Sequence, residues 1–354
     1  MRRDWRLLLG LLWLFTSACR DEKPLPQPEP AGNERMYVLN EGLFNMNNST
    51  LTLFDPESRT ALTDYFEITN GRKMGDTGND MAIYGGKLYV VLSGSSQVEV
   101  MAAATGKSLR QIPLFDGQRA RQPRAIAFLD RHAFIACFDG TVIALDTASL
   151  QITGMAIAGS NPDGITVAGG KLYVSNSGGL NFPHYDNTVS VIDPTTMTEL
   201  RRIPVGVNPG SIAADRYGEV YVVCRGNYGS IPSSLVIIDS RTDAVKLTLQ
   251  NQLMQVFIYG DTAWLTHIDY SGSMQSRIAL MDVRSKQMIN ESFISDGTMP
   301  ETVYGIHVDR SLGVVYVADA RSFVHTGVVN AYDRQGRKQF SFSSGMNPSK
   351  MVMW

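Results

Sequence analysis

From Arg35 onward, short apolar runs alternate with polar turns at a regular period. "NPDGITVAGGKLYVSNS" (Asn161 to Ser177) is followed by "NTVSVIDPTTMTELRRIPVG" (Asn187 to Gly206). The pair returns as "NPGSIAADRYGEVYVVC" (Asn208 to Cys224) and "SSLVIIDSRTDAVKLTL" (Ser233 to Leu249). Each run is rich in Val, Ile and Tyr and is bounded by Gly, Asp, Asn or Pro, the pattern of a short β-strand. The runs are nearly continuous in apolar character, which suits strands covered on both faces. A unit of about 40–50 residues with four such runs is a β-propeller blade.

Two columns count the blades. The second run of each unit ends at Asn40, Leu92, Cys137, Asn176, Cys224, His267 and Asp319, each three residues after an aromatic: Tyr37, Tyr89, Phe134, Tyr173, Tyr221, Trp264 and Tyr316. The third run ends at Asp55, Ala102, Asp146, Asp193, Asp239, Asp282 and Asp333. Both columns have seven members, so the sequence predicts an all-β, seven-bladed propeller. The recurrent Asp sits where an Asx turn would open, as in Asp193-Pro194-Thr195-Thr196, and is read as a turn residue rather than a ring of catalytic carboxylates.

The two ends of the repeat complement each other. "RMYVLN" (Arg35 to Asn40) matches the second strand of a blade with no first strand before it. "NPSKMVMW" (Asn347 to Trp354) matches the blade openings "NPDGITV" and "NPGSIAA". The C-terminal strand is therefore expected to join the N-terminal blade and close the ring, removing exposed sheet edges. In a chain of 354 residues this makes residues 34–354 one domain rather than two or three. Lys and Arg total 32 against 34 Asp and Glu, a balance that gives no global attraction to nucleic acid.

Ahead of the repeat, residues 1–18 read as an export signal: Arg2, Arg3 and Arg6, then apolar Leu7 to Phe15, then small Thr16-Ser17-Ala18. The apolar stretch is too short to span a bilayer as a stable helix. Cys19 follows directly, as in a bacterial lipoprotein signal whose cysteine is lipid-modified. Thr16 stands where a Leu is usual, and a plain cleaved signal is the alternative. Residues 19–33 form an acidic, Pro-rich tether, with Asp21-Glu22 followed by Pro24, Pro26, Pro28 and Pro30. Alternating prolines favour an extended spacer. The other two cysteines, Cys137 and Cys224, share a column but are separated by a whole blade. They are expected to be buried and unbridged.

Chemistry is expected on one face. The loops joining second to third strands are long: "EGLFNMNNS" (Glu41 to Ser49), "SGGLNFPHYDN" (Ser177 to Asn187), "RGNYGSIPS" (Arg225 to Ser233), "IDYSGSMQS" (Ile268 to Ser276) and "ARSFVHTG" (Ala320 to Gly327). The loops leading into first strands on that face include "GRKMGDTGND" (Gly71 to Asp80) and "DGQRARQPR" (Asp116 to Arg124). Long, individual loops on a rigid scaffold are the usual home of binding. They place Phe44, Met74, Phe182, Tyr185, Tyr228, Tyr270 and Phe323 beside Arg72, Lys73, Arg119, Arg121, Arg124, Arg225 and Arg321, with His267 at the end of its strand. Arg beside aromatic rings suits a planar, anionic or aromatic ligand. Acids on the same loops include Glu41, Asp76, Asp80, Asp163 and Asp319, so the face is mixed in charge.

Enzymatic activity is not expected. No nucleophile motif, phosphate loop or paired catalytic carboxylate stands out. The column Asn, Leu, Cys, Asn, Cys, His, Asp offers too few convergent oxygens for the calcium cage of a lactonase-type propeller. No cofactor is implied.

"IPVGVNPGSIAADRYGEVYVVC" and "NPDGITVAGGKLYVSNSG" resemble the Tyr-Val-Thr-Asn class of seven-bladed propellers, the YncE-like group, over Arg35 to Trp354. "MYVLNEGLFNMNNSTLTLFDPESR" with "NGRKMGDTGND" is similar to surface lipoproteins of Bacteroides-type bacteria that partner TonB-dependent outer-membrane transporters. Two kinds are similar, one binding ferric siderophores and one binding cobalamin. The resemblance implies an outer-membrane, cell-surface protein, lipid-anchored through Cys19, that takes a small chelate on the loop face and passes it to the transporter. A ferric, catecholate siderophore is the first expectation and cobalamin the alternative. A protein-binding surface propeller or a lactonase-like hydrolase is the second alternative.

Overall fold

The computed structural model describes residues 34–250, 253–268 and 276–354. Seven four-stranded antiparallel sheets form the blades of a propeller, and in six of them strand order follows the chain. The innermost strands are Pro348–Met353, Gly78–Tyr84, Pro123–Leu129, Pro162–Ala168, Pro209–Ala214, Gln255–Tyr259 and Val303–Asp309, in blades one to seven. Blade one is the composite predicted from the sequence: Pro348–Met353 pairs with Met36–Asn40. A short helix, Tyr65–Asn70, and a two-residue ribbon pairing Phe115–Asp116 with Arg119–Ala120 decorate the connections.

The apolar core lies in the seams between blades rather than within any one sheet. Among the described residues, seven clusters of buried side chains occur, one for each pair of neighbouring blades. Strands packed on both faces explain the unbroken apolar runs.

The aromatic column is part of these seams. All seven of its members are buried. Three tyrosines also reach across to the next blade: Tyr37 donates to the Ala103 carbonyl at 2.8 Å, Tyr173 to Ser240 at 3.3 Å and Tyr221 to Val283 at 3.1 Å. Each acceptor directly follows the residue that ends the third strand, so one repeated column is bonded to another. The Asp column makes turns as expected. The Asp55, Asp146, Asp193, Asp239, Asp282 and Asp333 carboxylates each accept a backbone N–H two residues ahead. Cys137 and Cys224 are buried free thiols.

Candidate functional site

The openings of the inner strands build the site. Asn161, Asn208 and Asn347 adopt left-handed backbone (φ 49°, 57° and 56°), a conformation Asn tolerates better than most residues. A proline follows each and starts the strand. The ladder then slips: register shifts skip Asn79, Arg124, Asp163, Tyr304 and Ser349, and in blade five Gly210 and Ser211. Bulges re-aim side chains, and here all the skipped residues except Gly210 line one central cavity of about 580 Å³. Glu41, Arg225, Tyr228 and Phe323, from the long loops, line its mouth, so the cavity opens on the loop face.

Charge in the mouth is ordered around Asp163. Its carboxylate accepts from Arg225 at 2.7 Å and from Arg124 at 3.0 Å, and its side chain is 5 % exposed. Burial pushes the Asp163 carboxyl up, but the Arg225 and Arg124 guanidiniums outweigh it and hold it at about 2. Burial also works against the Arg225 charge, and Asp163 more than offsets this. Arg124 lies over the Phe138 ring at 4.5 Å. Arg225 lies against Gly210, where a Cβ would come within 2.3 Å of the guanidinium carbon. Glu41 accepts from the Tyr304 hydroxyl at 2.5 Å and from Asn79 at 3.3 Å. Burial raises the Glu41 carboxyl above its ordinary range despite these bonds. Lys350 pairs with Asp80 at 2.9 Å.

Aromatic rings stand at the rim. Phe182 and Tyr185 meet edge to face at 6.0 Å, and Tyr185 meets Tyr228 at 6.3 Å. Phe182 is 73 % exposed and Tyr228 57 %. Phe323 packs edge-on against Tyr304 at 5.4 Å. Phe44 is 65 % exposed on the blade-one loop.

Thus Arg124, Arg225, Tyr228 and Phe323 come together at the channel mouth, with Phe182 and Tyr185 beside them. Other residues expected at the site do not join it. Arg72 pairs with buried Glu99 at 2.8 Å and stacks over Phe66, because the seam between the first two blades supplies its counter-charge. Met74, 2 % exposed, is part of that same apolar seam. Arg121 is held by Asp139 at 2.8 Å. Arg119 lines a separate depression with Arg202 and Asn181, and Lys73 lines another beside Phe66 and Glu67. His267 is buried near Arg277, 3.3 Å from Nδ1, because the strand-end column faces the blade interior rather than the channel. Arg321 is half-buried at a left-handed loop position. Tyr270, the export signal, Cys19 and the tether lie outside the described residues.

The loop-face acids are largely structural. Asp76 accepts the Asn45 and Asn47 N–H groups, Asp186 those of Ser160 and Asn187, and Asp319 those of Thr302 and Arg321. Lys73, Arg119 and Arg321 make no ion pair among the described residues. Sequence reasoning passed over Asn79, Gln255, Tyr304, Ser349 and Lys350. For Ser349 the available signal was its place directly after the blade-opening proline, a place that Arg124 and Asp163 also hold.

A sequence model of the DUF5074 family, described as a domain of unknown function, matches residues 34–271. No curated protein shows significant similarity. Among solved structures, hydrazine synthase of Kuenenia stuttgartiensis aligns with a TM-score of 0.59 at 17 % identity, covering 71 % of this chain and 74 % of that one. A functionally unknown protein from Desulfotomaculum acetoxidans aligns at 0.62 and 10 % identity, covering 91 % and 98 %. The computationally designed Ika8 protein aligns at 0.57 and 12 %, covering 90 % and 96 %. At these identities the likeness is one of fold.

Proposed function

The chain belongs to the DUF5074 family, and we propose that it is a tethered capture propeller whose loop face takes a small anionic chelate bearing aromatic groups, a ferric catecholate siderophore. The observation that carries this reading is the rim. Phe182, Tyr185 and Tyr228 present rings from two neighbouring blades beside an open, polar channel mouth. Catechol rings gain from edge-to-face or offset contact with such rings. Lys73, Arg119 and Arg321, outside the channel mouth and in no ion pair among the described residues, would draw an anionic chelate towards this face by longer-range attraction. The YncE-like resemblance and the Bacteroides-type features of the sequence supply the rest of the reading. In it, lipid on Cys19 anchors the ring at the cell surface, and a TonB-dependent transporter receives the chelate.

Cobalamin is the second reading, favoured by one observation. Asp163 neutralises much of the charge of Arg124 and Arg225, so the channel mouth itself offers little surplus positive charge. A large, mostly neutral ligand would suit it. Titration of the chain without residues 1–19 with ferric enterobactin and cyanocobalamin separates the two readings. Binding of neither would leave a protein-binding propeller.

A further inference from the structure

We propose that the central channel holds a binding compartment of its own, which takes an acceptor oxygen, an amide carbonyl or a carboxylate, on the N–H groups of Arg124, Arg225 and Lys350. It goes beyond the capture reading, because it concerns the channel whatever rests on the rim.

Unspent donors carry the inference. A guanidinium has five N–H groups and an ammonium three. Arg225 reaches Asp163 through Nη1 alone, and Arg124 does so through Nε and Nη2. Lys350 Nζ meets only Asp80, at 2.9 Å. Arg225 Nε and Nη2 and Arg124 Nη1 make no hydrogen bond among the described residues, and none of them is a buried atom. The Arg225, Arg124 and Lys350 side chains are 23 %, 26 % and 41 % exposed, and all three line the cavity. No side chain at Gly210 crowds the Arg225 head, where a Cβ would come within 2.3 Å of its guanidinium carbon.

The carboxylates of the wall are already spent. Asp80 accepts the Met81 and Ile126 N–H groups besides facing Lys350, and Asp163 accepts from both guanidiniums. Glu41 accepts from Tyr304 and Asn79. The Asp80 and Asp163 side chains are only 13 % and 5 % exposed, so these acids lie deeper than their cations. The channel therefore shows a guest donors rather than acceptors. Hydrogen bonds from a charged donor are the stronger kind, and an acceptor oxygen gains them here without displacing Asp163. The three acids balance the three cations, so contact rather than net charge holds the guest, and carbonyl and carboxylate both qualify. An ammonium would bring only donors and find Asp80 and Asp163 taken.

The chain without residues 1–19 keeps every described residue, and its arginine Nε–H groups can be followed by NMR, each assigned by its Lys variant. Propionamide, propionate and propylammonium carry similar alkyl stems and differ in the head. Propionamide or propionate is expected to shift the Arg124 and Arg225 signals to saturation, and the tighter of the two identifies carbonyl or carboxylate as the source. Propylammonium should leave both signals in place. Arg119, outside the channel, is the control for surface attraction, and its signal should not saturate. Arg225→Lys keeps a cation for Asp163 and loses the fork, so it should weaken the tighter probe about threefold to tenfold, read from the Arg124 signal. Arg124→Lys, read from the Arg225 signal, takes its place if that variant does not fold. The proposal is overturned if neither acceptor probe moves the two signals, if propylammonium moves them as far, if Arg119 saturates alongside them, or if the Lys variant binds as wild type does.

Discussion

Arg225 and Asp163 belong to adjacent blades and meet across 2.7 Å at the channel mouth. Arg124, from the blade on the other side, shares the same carboxylate at 3.0 Å. One buried charge therefore joins blades three, four and five at the face where a ligand would bind.

Asp163→Asn keeps the shape and removes that charge, leaving two guanidiniums facing each other. Loss of about 3–5 kcal/mol in denaturant unfolding at neutral pH is expected. The pH dependence follows from a folded-state carboxyl held at about 2, below its ordinary 3.8. Its contribution is present above the ordinary value and is lost as pH falls through the folded value. The stability gap between wild type and variant should narrow between about pH 4 and pH 2.

Glu41 has the opposite sign. Burial raises its carboxyl, so the folded chain holds the proton more tightly than the unfolded chain. Its ionisation therefore works against folding as pH rises above the ordinary 4.5. Glu41→Gln keeps an acceptor for Tyr304 and cannot ionise. Its melting temperature should match wild type at pH 4 and move above it towards pH 8; a pH-independent difference would contradict this.

Ring closure is tested at the C-terminus. Arg35 and Trp354 exchange both backbone hydrogen bonds, at 2.9 and 2.8 Å, and Pro348–Met353 forms the inner strand of blade one. A chain ending at Asn347 loses that strand and the Lys350–Asp80 pair and exposes Met36–Asn40 as an edge. A marked fall in melting temperature is expected, with self-association visible by size-exclusion chromatography.

The Asp column should prove local. Asp193 accepts the Thr195 and Thr196 N–H groups, and these bonds hold its carboxyl below the ordinary range. Asp193→Ala should lower the melting temperature only slightly and leave ligand affinity unchanged.

Much of the fold was legible because its repeated residues do repeated work. Tyr37, Tyr173 and Tyr221 make the same bond to the next blade, and Asp55 and Asp282 open the same turn, so one column stays aromatic and the other is Asp in all blades but the one with Ala102. The site was legible only in part for the converse reason. Channel positions vary from blade to blade, Asn79, Arg124, Asp163, Tyr304, Ser349, and bulges hide them from a period-two reading. Nor does a list of charges show which are already paired. Arg72, Arg121 and Arg124 look alike in the loops, yet their partners are Glu99, Asp139 and Asp163 in three different places.

Binding at the loop face is the central claim, and one titration tests it most directly. Ferric enterobactin added to the chain without residues 1–19 should bind with a Kd below about 10 μM. Tyr228→Ala should weaken it about tenfold through lost ring contact, while Asp193→Ala leaves it unchanged. Tight cyanocobalamin binding with none to ferric enterobactin would transfer the account to the second ligand. Binding of neither chelate, or full affinity in the Tyr228→Ala protein, would contradict it.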